Sequence, residues 1–278
     1  MRLLDHRSHR DRRPLLLTIR DRLKVLFDEK QKEEINKLLS LRFRRVQHLA
    51  YRILCGTNLT TLAVLYGTDK WWRHRYTQHY EVHFAPLRQK RLNILEIGVG
   101  GYADPKSGGA SLRMWRTYFP KSQVYGIDIW DKSLHNERRI KTFRGSQIDE
   151  DFMFYVVKTI GKIDIVIDDG SHENEHVIRT FRFLFPHLVE DGFYVIEDTQ
   201  TSYWPFMGGS SEDFYKPTTT MGFLKSLIDG LNYSEFDKSS YEPSYYDKYI
   251  VAMYFYHNIV FVKKGLNDEG SNILRRKL

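Results

Sequence analysis

Two short apolar runs, Ile163 to Ile167 and Phe193 to Ile196, each end in a pair of acids, Asp168-Asp169 and Glu197-Asp198. Both runs read as strands, and helical sequence separates them, so they pair in parallel and bring their acids out at one carboxyl edge. That edge is where open α/β folds place their chemistry. His172 follows the first acidic pair by three residues. Hard oxygen ligands beside an imidazole suggest a divalent cation with a general base next to it.

The rest of the chain fits an α/β protein built around those strands. Leu92 to Ile97, Gln123 to Ile129 and Arg139 to Arg144 are further strands, and Ser111 to Phe119 and His176 to Leu188 are helices between them. Lys248 to Tyr256 and Asn258 to Val262 form a hairpin turning at His257-Asn258. The fold class is therefore α/β: a doubly wound, mostly parallel sheet closed by a C-terminal antiparallel hairpin. Thr57 or Asn58 caps a helix that stops at Gly67, a second runs from Thr77 to Leu87, and Thr220 to Leu231 is another. Residues 203–220 have the Pro, Gly and aromatic content of a mobile lid or substrate loop.

Charge divides the chain. The formal net charge is +8, and residues 1–55, with 15 Lys and Arg against 7 Asp and Glu, account for all of it; the remainder balances at 28 and 28. The basicity thus belongs to an arm and argues against a nucleic-acid-binding core. Residues 1–13 read as a basic tail, and apolar residues at helical spacing from Leu15 to Tyr51 as one or two amphipathic helices. Such an arm packs on the main domain or a second subunit, or lies on an anionic membrane surface. The divisions expected are a basic helical arm over 1–55, an aromatic-rich helical lid over 56–90, a catalytic domain over 91–265 and a polar tail over 266–278. One cysteine, Cys55, excludes an internal disulfide, and no apolar run is long enough to span a membrane, so a cytoplasmic location is expected.

Within 56–90, Gly67-Thr68-Asp69-Lys70 sets a cation and small polar groups on a turn among aromatic rings. His79 and His83, four apart on a helix, are either a metal pair or packed histidines. After the first strand, Glu96-Ile97-Gly98-Val99-Gly100-Gly101 makes a tight glycine turn that lets a ligand approach the backbone. Gly98, Gly100 and Ala103 satisfy the dinucleotide pattern, but Asp104, Pro105, Gly108 and Gly109 delay the next helix, so no phosphate is cradled there. Asp128, ending the second strand, either accepts from a ribose diol or caps a helix. Asp149 either reaches an adenine amino group or caps the helix that follows it.

Three acids converging with nothing to neutralise them would repel, so a bound cation accounts for them. Carboxylates without thiolates favour Mg²⁺, Mn²⁺ or Ca²⁺ over zinc. Such a cation would hold both oxygens of a vicinal diol and lower the pKa of one, and His172 would take its proton.

From about Tyr66 to Tyr203 the chain resembles the metal-dependent, S-adenosylmethionine-using sugar O-methyltransferases, such as the macrolide and rhamnosyl O-methyltransferases. The resemblance rests on Tyr66-Gly67-Thr68-Asp69-Lys70, Glu96-Ile97-Gly98-Val99-Gly100, Gly108-Gly109-Ala110-Ser111-Leu112, Asp168-Asp169-Gly170-Ser171-His172 and Ile196-Glu197-Asp198-Thr199. The last two together are its specific part. It implies a class I methyltransferase fold, with Asp169, Glu197 and Asp198 as ligands of Mg²⁺ or Mn²⁺ and His172 and Asp169 at the reacting centre. On the cofactor side it sets Glu96, Gly98, Asp128 and Asp168, and Lys70, Gly100, Ser111 and Asp149 are expected beside them. Where the usual glycine turn has a third glycine this chain has Tyr102 and a longer loop, and the basic arm lies outside the resemblance. The function it implies is methylation of a sugar hydroxyl on a glycoside, glycolipid or polysaccharide. Trp71, Trp72, Tyr203 and Trp204 would face the sugar or an apolar aglycone, or belong to the core. The alternatives are a related metal-bearing tailoring protein of hydroxylase type and a non-catalytic cofactor-binding scaffold.

Overall fold

The computed structural model describes residues 43, 44, 46–237 and 240–271, and only the backbone of Trp72. The chain divides into two compact units, Met1–Ile53 and Leu54–Leu278. In the first, the described residues are helical. The tail 1–13 and most of the arm's expected helices lie outside the described residues.

The second unit begins with three helices, α1 (Leu59–Tyr66), α2 (Asp69–Trp72) and α3 (Thr77–Phe84). Asn58 caps α1 by accepting from the Thr61 amide, and Gly67, at φ 70°, closes it in the left-handed conformation that glycine adopts without penalty. Strands and helices then alternate: β1 (Asn93–Ile97), α4 (Ala110–Tyr118), β2 (Gln123–Asp128), β3 (Ile140–Arg144), α5 (Glu150–Ile160), β4 (Ile163–Asp168), α6 (Asn174–Leu184) and β5 (Leu188–Glu197). α7 (Thr220–Ser226), α8 (Tyr245–Tyr249), β6 (Ile250–Tyr256) and β7 (Ile259–Lys264) complete it. The seven strands lie in the order β3-β2-β1-β4-β5-β7-β6, with β7 antiparallel to both neighbours. This is the class I methyltransferase-like, doubly wound sheet with its terminal hairpin.

Each face of the sheet carries its own layer. Leu95, Ile97, Val166, Tyr194 and Ile196 point towards Met153, Val156, Phe181 and Phe223 of α5, α6 and α7. On the opposite face an aromatic cluster joins Tyr80 and Phe84 of α3 to Trp115 of α4, Phe193 of β5 and Phe261 of β7. Tyr80, Phe84, Trp115 and Phe261 are fully buried, so the aromatics of 56–90 serve largely as core. His79 stacks on Tyr256 and His83 bonds the Tyr256 hydroxyl at 3.0 Å, which makes them packed histidines.

Several element ends differ from expectation for local reasons. The helix expected to run to Leu188 stops at Leu184, where Phe185-Pro186-His187 tightens into a 3₁₀ turn, and β5 starts at Leu188 with a register shift against β4. Tyr245–Tyr249 is helical where a strand was expected from Lys248, because Ser244 and Asp247 form a capping box. α7 ends at Ser226, short of Leu231, and a 3₁₀ segment, Asp229–Glu235, follows.

Candidate active site

Parallel pairing sets Ile97, Asp168 and Ile196 in register, so Gly98, Asp169 and Glu197 leave three adjacent strands side by side. Side chains alternate between faces along a strand. Glu96, Asp169 and Glu197 consequently share the face that carries α1 to α4, and Asp168 points to the other.

On the first face the chain supplies its own cation. Thr68 caps α2 and turns Lys70 inward, where it is fully buried. Its Nζ donates to Asp169 Oδ2 at 2.8 Å and Glu197 Oε1 at 2.6 Å. It also lies 3.1 Å from Glu96 Oε1, an ion pair without the geometry of a hydrogen bond. Burial alone would push the Lys70 ammonium down, but Asp169, Glu197 and Glu96 outweigh it and hold it well above the usual lysine range. Burial, and then the charge of Asp169, raises Glu197 well above a normal carboxylate, against the pull of Lys70. Tyr80 also donates to Glu197, and Ser111 Oγ donates to Glu96 at 2.8 Å.

Towards the solvent the arrangement opens. Asp198 Oδ1 accepts from Tyr76 at 2.7 Å and lies 3.3 Å from His74 Nδ1. With Asp169 Oδ2 held by Lys70, each aspartate keeps one oxygen turned outward. Those two, Asp169 Oδ1 and Asp198 Oδ2, lie 3.7 and 3.8 Å from His172 Nε2. Among the described residues Asp169, His172 and Asp198 form the group whose ligand atoms all fall within 4.8 Å of one another, a span that suits one small divalent cation. Asp198 and His172 both hold left-handed backbone, at φ 54° and 58°. Such conformations cost about 1–3 kcal/mol each and cluster at functional sites.

A cleft of about 650 Å³ runs from this group along the strand ends. Gly98, Gly100, Ser111, Asp128, Asp169 and His172 line it, as the sequence suggested, with Thr68, Asp69 and Ser171 of the same sequence motifs, and Arg73, Trp130 and Gln147, which the sequence did not single out, join them. Asp128 spends both oxygens on backbone, accepting from Val99 N at 3.0 Å and Trp130 N at 2.9 Å, so it shapes the wall of the cleft as well as facing it. Gln147 bridges the wall, accepting from Ser171 N at 3.0 Å and donating to Thr180 Oγ1 at 3.0 Å. The loop after Gly100 is pinned by buried Lys132, which donates to the carbonyls of Asp104 and Ser107.

Four residues expected on the cofactor side are not on the cleft wall. Lys70 and Glu96 lie behind it in the carboxylate nest. Asp149 is exposed and caps α5 through the Phe152 amide, the simpler of its two readings. Asp168 is buried on the far face, accepting from Tyr194 at 3.0 Å and Gln147 at 3.4 Å. Glu197, expected as a third ligand beside Asp198, is turned to Lys70 and Tyr80 and falls outside the convergent group. The run 203–220 is anchored at both ends by buried Asn174, which donates to the carbonyls of Thr201 and Met207 and accepts from Thr220 N. Beyond that anchor, Trp204 and Phe206 stack with their faces partly open to solvent.

Burial raises Asp168 from 3.8 to about 6, against the hydrogen bond from Tyr194. The folded chain therefore holds this proton more tightly than the unfolded chain. Ionising Asp168 weakens the fold by an amount that is absent below about pH 4, grows towards pH 6 and reaches up to about 3 kcal/mol above it. Denaturant titrations between pH 4 and 7 should show Asp168→Asn gaining on the parent chain as pH rises. A difference that stays level across that range would contradict this assignment.

No protein-family model matches the chain. It is 47% identical over 221 residues to mycinamicin VI 2''-O-methyltransferase of Micromonospora griseorubida, covering 78% of this chain and 55% of that protein. It is 45% identical over 235 residues to demethylmacrocin O-methyltransferase of Streptomyces fradiae, covering 82% and 60%. Among solved structures it superposes on MycE, a methyltransferase of the mycinamycin biosynthetic pathway in complex with Mg, SAH and mycinamycin VI. That match has a TM-score of 0.74 at 47% identity, over 77% of this chain and 55% of the other. The chain spans about half the length of the curated relatives it matches. Over roughly four-fifths of its own length the chain is similar in sequence and in fold to these O-methyltransferases.

Proposed function

We propose that the protein is an S-adenosylmethionine-dependent O-methyltransferase that uses Mg²⁺ or Mn²⁺ and acts on a sugar hydroxyl. The observation that carries this reading is the meeting of Asp169 Oδ1, Asp198 Oδ2 and His172 Nε2 at the end of a cleft lined by Gly98, Gly100, Ser111 and Asp128. The donor set fits a hard divalent cation: two outward carboxylate oxygens, each with its partner oxygen already satisfied. When bound, the cation would make a nearby hydroxyl more acidic.

The chain's residues divide the remaining work. Asp169 and Asp198 would hold the cation, and His172 Nε2 would accept the proton of the attacking hydroxyl. Asp128 faces the cleft where a ribose would lie, and the two glycines let an adenosyl ligand approach the backbone. Methyl transfer is an in-line displacement in which the hydroxyl oxygen takes the methyl group from the sulfonium and the thioether leaves. Positioning therefore contributes most of the acceleration, and no protein nucleophile is called for. The stacked Trp204 and Phe206 would receive the sugar or aglycone of a glycoside acceptor.

The experiment is incubation of the protein with labelled S-adenosylmethionine, a pool of rhamnosylated and macrolide glycosides, and Mg²⁺, read by mass spectrometry. One product heavier than its acceptor by a labelled methyl group in place of a hydrogen, lost on adding a chelator and restored by excess Mg²⁺, is expected. Binding of SAH and Mn²⁺ without methyl transfer to any acceptor would favour the scaffold reading instead.

A further inference from the structure

We propose that Lys70 is a positioning residue for the candidate cation site, tying Asp169 to Glu197 and thereby aiming the second oxygen of Asp169 at Asp198 and His172. The inference rests on the reading that a divalent cation binds there, and it assigns the lysine a task apart from cofactor binding.

The ammonium is fully buried and does not border the cleft. It meets one carboxylate from each of three neighbouring strand ends, Glu96 of β1, Asp169 after β4 and Glu197 of β5, at 3.1, 2.8 and 2.6 Å. Register and alternation force those three onto one face, so without a cation among them they would repel at close range in a medium of low polarity. Asp169 alone of the three is partly exposed, with 23% of its side chain open, so it is the one free to swing away. Lys70 prevents this by holding Oδ2, which leaves Oδ1 on the side of His172. An exposed ion pair would do little of this kind, whereas losing one partner of a buried set leaves the others uncompensated.

The test is Mn²⁺ binding to the full chain, by calorimetry and by the paramagnetic spectrum of the bound ion, in Lys70→Met. The expected result is Mn²⁺ affinity at least tenfold weaker with SAH affinity within threefold of the parent, since Lys70 does not line the cleft. In Lys70→Ala, propylamine should restore Mn²⁺ affinity and propanol should not, which separates charge from volume. If Lys70→Met does not fold, Lys70→Met/Glu96→Gln is compared with Glu96→Gln alone, and the same tenfold loss is expected. Mn²⁺ affinity within threefold in either comparison, or equal rescue by the alcohol, would overturn the proposal. A parent chain that binds no Mn²⁺ would overturn the cation reading itself.

Discussion

Replacing His172 with alanine is expected to lower methyl transfer by about 10²–10⁴-fold, the usual worth of a positioned general base. The imidazole stands beside both outward carboxylate oxygens, at 3.7 and 3.8 Å. It lines the end of the cleft, and among the described residues its ring makes no hydrogen bond, whereas Gln147 ties the wall together. SAH binding should therefore stay within threefold of the parent, and Mn²⁺ binding should survive on Asp169 and Asp198. The pH profile adds a signature that a folding defect lacks. The variant's residual rate should climb with hydroxide concentration, because solvent then has to remove the proton. Full activity in the variant would end the assignment of His172 as base, and collapse of Mn²⁺ binding would make the imidazole a ligand.

The path from sequence to site shows which physical signals a chain carries openly. The paired acids located the carboxyl edge correctly because apolar runs ending in acids mark strand ends, and parallel register then aligns Asp169 with Glu197. What the run Asp168-Asp169 hid was a consequence of alternation: adjacent residues leave opposite faces, so one acid reaches the cleft and the other is buried against Tyr194. Glu197 and Asp198 divide in the same way, one inward to Lys70 and the other outward to His172. The role of Lys70 was hidden for a different reason. Its turn reads as a polar loop among aromatic rings, and only the fold brings the ammonium to carboxylates from three strand ends. Gln147 gave no signal of its own, since an uncharged amide two residues before a helix cap looks like solvent-facing loop. The cap, Asp149, drew the attention instead, because its charge suited an adenine as well as it suited the start of α5.

The glycine turn, weak as a motif, carries a demanding geometric requirement at Gly98. Gly98 sits at φ 89°, and a Cβ there would stand 2.0 Å from the Asp169 carbonyl oxygen and 2.8 Å from its carbon. The obstacle is backbone, so no side-chain rotation relieves it. The turn is also fixed on both sides, with Gly98 N donating to Ile127 O at 2.8 Å and Asp169 N donating to Ile97 O at 3.0 Å. Gly98→Ala must therefore part β1 from β4 where the cleft and the cation site meet. Left-handed strain and overpacking together should cost about 2–5 kcal/mol, a fall in Tm on the order of 10 °C for a unit of this size. SAH affinity should drop at least a hundredfold, and Mn²⁺ affinity with it, because Asp169 moves. Gly270→Ala, away from the cleft wall, is the matched control: its φ is 70°, but a Cβ there meets nothing within 4 Å. That variant should lose only about 1 kcal/mol to strain and bind SAH as the parent does. If Gly98→Ala and Gly270→Ala bind SAH equally well, the close approach of these two strand ends is not what shapes the cofactor site.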